Sequence, residues 1–236
     1  MSALTRGRWY GRHTGNVDAE DLRLSVVRAL RDTVYVRLTT NIEQDDSGVH
    51  DYTVSVEARW SPDDGPDVDL PELSLLSHVD AELYLPELNK SLPETLSIPV
   101  GEGSIVIADL RDSQCLHELC HRSMDLGLVG QALWGVNHDL RPLTDTYELA
   151  GSRVLIANSM QIRPEWRGAG YGLLAMGLVI TRLQPGVALA ALYPMQPGLA
   201  DLEARTASNR QLAQYWAKIG FEEFDGIMVR PYPDVA

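Results

Sequence analysis

Three glycines, at positions 168, 170 and 172, stand between an alternating apolar run, Arg153 to Ile162, and an unbroken helix-forming run that reaches Ile180. Glycine loses more backbone freedom on folding than any other residue, so three at the mouth of one helix need a physical reason. A glycine-rich turn that leaves a strand and opens a helix exposes backbone N–H groups where the helix dipole is positive. Without Cβ atoms at 168, 170 and 172, an anion such as a phosphate can come close to that backbone. A tight turn that needs positive φ is the alternative reading. The spacing excludes two kinds of phosphate loop. A Walker loop needs Gly-Lys-Ser/Thr, and the chain has Tyr171-Gly172-Leu173. The dinucleotide fingerprint needs G-x-G-x-x-G, and here the order is G-x-G-x-G.

The rest of the chain builds an α/β pattern around this unit. Val34 to Ile42 and Tyr52 to Trp60 alternate as strands, with a hairpin loop between them. The stretch "SPDDGPDVDLPE" reads as loop, Val79 to Leu85 as a further alternating run, and Ser104 to Leu110 as a buried strand. One helix is expected over Ser113 to Trp134, and another is expected to end near Pro185-Gly186. "GVALAALYP" is a strand; Ser208 is expected to cap a helix that runs to Ile219 and stops at Gly220. Asp225-Gly226 turns a closing hairpin. Asp18 to Asp32 fits both periods: Leu22, Val26, Ala29 and Leu30 share a helix face, while Leu22, Leu24 and Val26 alternate. No linker or repeat interrupts the chain. The expectation is one fold over residues 1–236, with a β-rich half at 1–110 and a binding core at 111–236.

The net charge of −13 is uneven: residues 161–236 carry seven basic and seven acidic side chains, residues 1–160 thirteen basic and twenty-six acidic. Such a surface repels nucleic acid and phospholipid and attracts cations, which predicts a cationic substrate on the acidic side and an anionic cofactor on the neutral side. A purely solubilising surface is the plainer alternative. No apolar run approaches the roughly 18 residues of a membrane span, and residues 1–16 lack the apolar core of a secretion signal. Two cysteines, Cys115 and Cys120, build no disulfide framework and are expected to be buried thiols. A cytoplasmic protein without membrane or nucleic-acid partners is expected, and pairing of two copies is left open.

The segment Ile162-Arg163-Pro164-Glu165-Trp166-Arg167-Gly168-Ala169-Gly170-Tyr171-Gly172 resembles the coenzyme A signature of the GNAT superfamily of N-acetyltransferases, Arg/Gln-x-x-Gly-x-Gly/Ala. Arg167, Gly170 and Gly172 fill its three fixed places. Asn209 to Phe221, "NRQLAQYWAKIGF", is similar to the superfamily's later helix ending in Gly-Phe, and the two blocks stand in the right order. The likeness covers Arg153 to Tyr232. It implies a mixed, mostly antiparallel sheet with helices on both faces, and acetyl-CoA (or another acyl-CoA) held between two splayed parallel strands, 153–162 and 187–193. The resemblance places the pyrophosphate on the amides from Arg167 through Gly168, Ala169, Gly170, Tyr171 and Gly172 to Leu173. It places the thioester carbonyl near Met160, Gln161 and Ile162, with Asn209 opening the second block. The acceptor, a small cationic amine or a protein amine, would attack the thioester directly.

Such chemistry needs a neutral amine, a polarised carbonyl and a proton for the leaving thiolate. The first splayed strand carries no carboxylate, and Asn158, Ser159 and Gln161 are its polar members. Glu148, Asp201 and Glu203 lie beside it or on the next loop. The superfamily's usual proton donor is a tyrosine five residues before the Phe of Gly-Phe, and here that position is Trp216, which cannot donate to a thiolate. Tyr215 is adjacent but about 100° away around a helix.

A rival signal is His117-Glu118-Leu119-Cys120-His121, an H-E-x-x-H pattern that on a helix sets His117 and His121 on one face, able to hold zinc, with Glu118 as base. A zinc hydrolase would follow. The longer form needs Gly where Met124 stands, and no third ligand is evident, although His138 and Glu148 lie downstream, so no metal is expected. His13, His50, His78 and His138 are scattered, and Trp60, Trp134 and Trp166 read as core or rim packing. Three functions thus stand in order: an acyl-CoA-dependent N-acyltransferase, a coenzyme-binding or sensor protein of the same fold with weakened catalysis, and the zinc hydrolase.

Overall fold

The computed structural model describes residues 19–41, 48–61, 95–135, 140–195 and 201–232. The expected strand at 79–85, the loop at 61–72 beyond Ser61, and His13, His78 and His138 lie outside them. The described strands join in one seven-stranded sheet, in the order β1-β2-β3-β4-β5-β7-β6. They are β1 (Val34–Asn41), β2 (Val49–Trp60), β3 (Leu96–Asp109), β4 (Arg153–Ile162), β5 (Val187–Leu192), β6 (Glu222–Phe224) and β7 (Ile227–Pro231). All neighbours are antiparallel except β4 and β5. The mixed, mostly antiparallel sheet with one parallel pair thus stands as expected.

Helices cover both faces. On one lie α1 (Ala19–Ala29) and the helix behind the glycines, α5 (Tyr171–Leu183), together with α6 (Leu202–Ala217). On the other lie α2 (Ser113–Arg122), α3 (Met124–Trp134) and α4 (Arg141–Thr146). The ambiguous first segment is a helix: Val26, Val27 and Leu30 are buried on one side, and Glu20 and Asp21 sit in the favourable first turn. The α5 helix buries Tyr171, Ala175, Met176, Val179 and Ile180, a stripe of helical period, against β1 and β4. Every residue of β5 is buried, because helices close over both of its faces. Among the described residues no helix is long and apolar enough to cross a membrane.

Several expectations are corrected. The helix expected over 113–134 is two helices, broken at Ser123, whose backbone is extended (φ −161°, ψ 158°). Ser123 N–H donates to Leu119 O, and its hydroxyl accepts from Leu126 N–H at 3.1 Å, so one residue ends α2 and caps α3. The helix expected to start at Ser208 starts at Leu202, because the Asp201 carboxylate accepts from Ala204 N–H at 2.9 Å and caps it there. The strand expected over 104–110 begins at Leu96 and runs through Gly101 and Gly103. Glycine reads as a breaker in sequence, but here contact demands it: a Cβ at Gly101 would lie 2.4 Å from Gln161 O, and one at Gly103 2.5 Å from Ser159 O. Cys115 is buried, whereas Cys120 is exposed.

Candidate functional site

The parallel pair parts company. β5 pairs with β4 only from Arg153 to Ala157, opposite Val187 to Leu192, while β4 continues to Ile162 with β3 alone beside it. Burial along β4 fades at the same point: Val154, Leu155 and Ile156 are buried, and Asn158 and Gln161 are exposed. A bulge at Asn158, where the β3 register skips a residue, marks the break. It also reassigns the faces. Met160 and Ile162 pack with the α5–α6 layer, and Ser159 turns instead toward the layer of α2 and α3. Ser104 and Ser159 hydroxyls meet there at 3.1 Å, and Asn158 Nδ2 donates to Ser104 Oγ at 3.0 Å. Register puts Glu102 opposite Gln161, and both are exposed. The strand has no carboxylate of its own, but its neighbour supplies one.

At the far end of β4 the chain makes a short 3-10 turn, Pro164–Trp166, and then the glycine turn. Gly168 (φ +91°) and Gly170 (φ +78°) have the left-handed backbone that favours glycine. Gly170 is the N-cap of α5, and with no side chain it leaves the first amides uncapped from its own position. A Cβ at Gly170 would meet nothing within 4 Å, so the space above the helix end is open. A cavity of about 470 Å³ opens here, walled by Ile162, Trp166, Arg167, Gly168, Gly170, Tyr171, Gly172, Leu173, Tyr215 and Lys218.

Of the residues expected in the site, the structure gathers Ile162, Arg167, Gly168, Gly170, Tyr171, Gly172, Leu173 and Tyr215 in this wall. Tyr171 contributes only backbone, since its ring is buried against Trp166 and its hydroxyl donates to Val27 O. Arg167 Nε donates to Ile162 O at 2.9 Å, which ties the turn to the strand end. Ala169 packs partly buried on the core, and Met160 and Gln161 belong to the β4 edge rather than to the cavity wall. Asn209 holds a loop: with its amide nitrogen turned to them, it donates to Pro194 O and Arg205 O, each at 3.0 Å.

The two candidate proton donors part in the same way. Trp216 is 9% exposed, packs against Phe221 in the core and is not among the cavity's lining residues. Tyr215 reaches the cavity, where its hydroxyl accepts from Leu173 N–H at 3.1 Å. It therefore caps the start of α5 from another helix. Burial pushes the Tyr215 phenol up from its ordinary range, against the opposite pull of the Leu173 amide, so it is protonated at neutral pH. Its oxygen would lie 2.7 Å from a Cβ on Gly172, which explains why position 172 has none. Motif position singles out 216, but the helix turns its neighbour Tyr215 to the cavity.

Two residues of this region escape a reading from sequence. Lys218, one turn beyond Tyr215, brings a cation to the cavity wall, its Nζ 5.9 Å from the Tyr215 ring centroid. Glu102 becomes visible only through the register of β3 on β4. Of the carboxylates that flank β4 in sequence or lie on the next loop, Asp201 is engaged as a helix cap, and Glu148 and Glu203 are exposed. His117 and His121 do stand side by side on α2, with Nε2 atoms 3.0 Å apart, but among the described residues no group of three or more metal-ligating side chains converges.

No protein-family model matches the chain, and neither a curated protein nor a solved structure is detectably similar to it.

Proposed function

We propose that this chain is an acyl-CoA-dependent N-acyltransferase, with acetyl-CoA the coenzyme to test first and an amine as acceptor. One observation carries the reading: β4 outruns its parallel partner by five residues, 158–162, and this unpaired edge leads into a cavity at the mouth of a glycine-capped helix. An extended ligand with an anionic end fits such a surface. Backbone groups of 158–161 that face away from β3 and that β5 does not pair suit an amide-bearing arm, and the α5 amides other than Leu173, with Arg167 and Lys218, suit a diphosphate. Supporting this fit, the cradle is open above Gly170.

In the transfer, the amine nitrogen forms a bond to the thioester carbon, the carbon–sulfur bond breaks, the amine loses a proton and the thiolate gains one. On this reading the amine arrives on the opposite face of β4, over Ser104, Asn158, Ser159 and Gln161, with Glu102 as the base that takes its proton. Tyr215, bonded to the α5 end, belongs with the diphosphate, about 13 Å of extended strand from Asn158 at roughly 3.3 Å per residue. The thiolate is then protonated by water, which a leaving group of pKa about 8.5 tolerates near neutrality. A weakened, sensor-like protein of the same fold is the second reading, favoured by the absence of a donor hydroxyl at Trp216.

The test joins binding to turnover. Acetyl-CoA should raise the melting temperature by mass action, and Gly170→Asp, which puts a carboxylate into the cradle, should abolish that shift. Free thiol released with a panel of cationic amines supports the transferase. Stabilisation without thiol release favours the sensor, and an equal shift in Gly170→Asp sinks both.

A further inference from the structure

The cavity and the β4 edge make no use of the histidine pair on α2. His117 and His121 are four residues apart, so the helix stacks them on one face, and both are exposed. Their Nε2 atoms lie 3.0 Å apart, with ring centroids at 4.2 Å and ring planes at 78°. The two nitrogens are within hydrogen-bond distance of each other, one donating and one accepting according to tautomer, so a single ion can take the place of the shared proton. When both rings hold their proton on Nδ1, both Nε2 lone pairs are free for an ion. At the usual metal–imidazole bond length of about 2.0–2.1 Å, a 3.0 Å separation corresponds to an N–metal–N angle of about 91–97°. That matches neighbouring positions of a square-planar or tetragonal ion better than the roughly 109° of tetrahedral zinc.

We propose that His117 and His121 form an open two-nitrogen site for Cu²⁺, and more weakly for Ni²⁺, whose remaining positions are filled by water. Imidazole suits both ions, and Cu²⁺ stands at the top of the divalent affinity order. The site is not a closed structural centre, because no third side chain among the described residues joins the pair. Cys120 is the nearest thiol in sequence, but its Sγ lies toward α3, where a Cβ on Gly127 would be 3.4 Å from it. The clamp is built on a held helix. Asp112 caps α2 through Gln114 N–H at 2.9 Å, and Arg122 pairs with Asp51 of β2 at its other end. A second nitrogen already in place makes its own binding step intramolecular, which is worth about 100-fold in affinity. The proposal is independent of the coenzyme reading.

The experiment titrates Cu²⁺ into the full chain in a non-coordinating buffer, followed by electron paramagnetic resonance. The expected signal is one site with two imidazole nitrogens. His117→Ala and His121→Ala should each weaken it about 100-fold, leaving a one-nitrogen signal, and the double variant should lose the site altogether. Because both side chains are exposed, the metal-free melting temperatures should match the parent's. Parental affinity in both single variants, or a parent spectrum with one nitrogen, would overturn the site.

Discussion

At the residue scale, position 215 shows how a helix start can be finished by a distant side chain. The first amides of α5 cannot be capped by Gly170, so the Tyr215 hydroxyl takes the Leu173 N–H. A neutral hydrogen bond of this kind contributes about 0.5–1.5 kcal/mol net. Tyr215→Phe should therefore lower unfolding stability by about 1 kcal/mol in urea titration. It should change the apparent acetyl-CoA affinity while leaving kcat within about twofold, because on the proposed reading the hydroxyl stands beside the diphosphate. A hundredfold fall in kcat would make Tyr215 the proton donor instead. Glycines 101 and 103 pose the opposite problem, since the main chain of β4 occupies the place of a side chain. Gly103→Ala forces a carbon to 2.5 Å from a backbone oxygen that no rotamer can move, so it should cost about 1–3 kcal/mol. A melting temperature unchanged in that variant would mean that the two strands stand further apart than described.

At the scale of elements, the boundaries that sequence misses are set by caps. Ser123 serves two helices at once, and the apolar period runs on through it, so periodicity alone joins α2 to α3. Ser123→Ala should cost about 1 kcal/mol, within the 0.5–2 kcal/mol usual for a lost N-cap. Asp201→Ala should cost a similar amount, measured by the same urea titration. The glycine turn, β4, β5 and the final hairpin were legible because they rest on local rules. Asp225 (φ +46°) and Gly226 (φ +80°) adopt the paired positive φ values of a two-residue hairpin turn, for which Asp-Gly is a strong signal. The polar patch on β3 and β4 was not legible, because it depends on two strands in register and on one extra residue at Asn158. A period-two reading of "RVLIANSMQI" sends Met160 to the face of Ile156, whereas the bulge sends it to the other. Glu102→Gln tests that geometry as chemistry: if Glu102 takes the amine proton, kcat should fall about 10²–10⁴-fold with coenzyme affinity unchanged. Unchanged kcat would leave Glu102 an ordinary exposed residue of β3.

At the scale of the whole molecule, charge and architecture separate two electrostatic problems. The coenzyme reading needs an anion to approach a protein of net charge −13, and the acceptor reading needs a cation to approach the same protein. Long-range attraction helps only the cation. On the proposed reading the anion would be repelled at distance and held on contact by Arg167, Lys218 and the amides of α5, in a part of the chain that is neutral by count. The densest acidic stretch, residues 62–94 with nine acidic side chains against one basic, lies outside the described residues. The field it adds nevertheless acts over the screening length, about 10 Å at 0.1 M salt and 3 Å at 1 M. Raising salt from about 0.05 to 0.5 M should therefore raise the KM for a cationic amine at least about twofold. For acetyl-CoA the loss of contact attraction is offset by relief of the repulsion, so its KM should move less. Steady-state kinetics at fixed pH with one cationic and one neutral amine gives the comparison, the neutral amine reporting effects of salt on the enzyme itself. If the KM values for cationic amine and coenzyme rise together, the acidity does not sort the substrates and serves solubility alone.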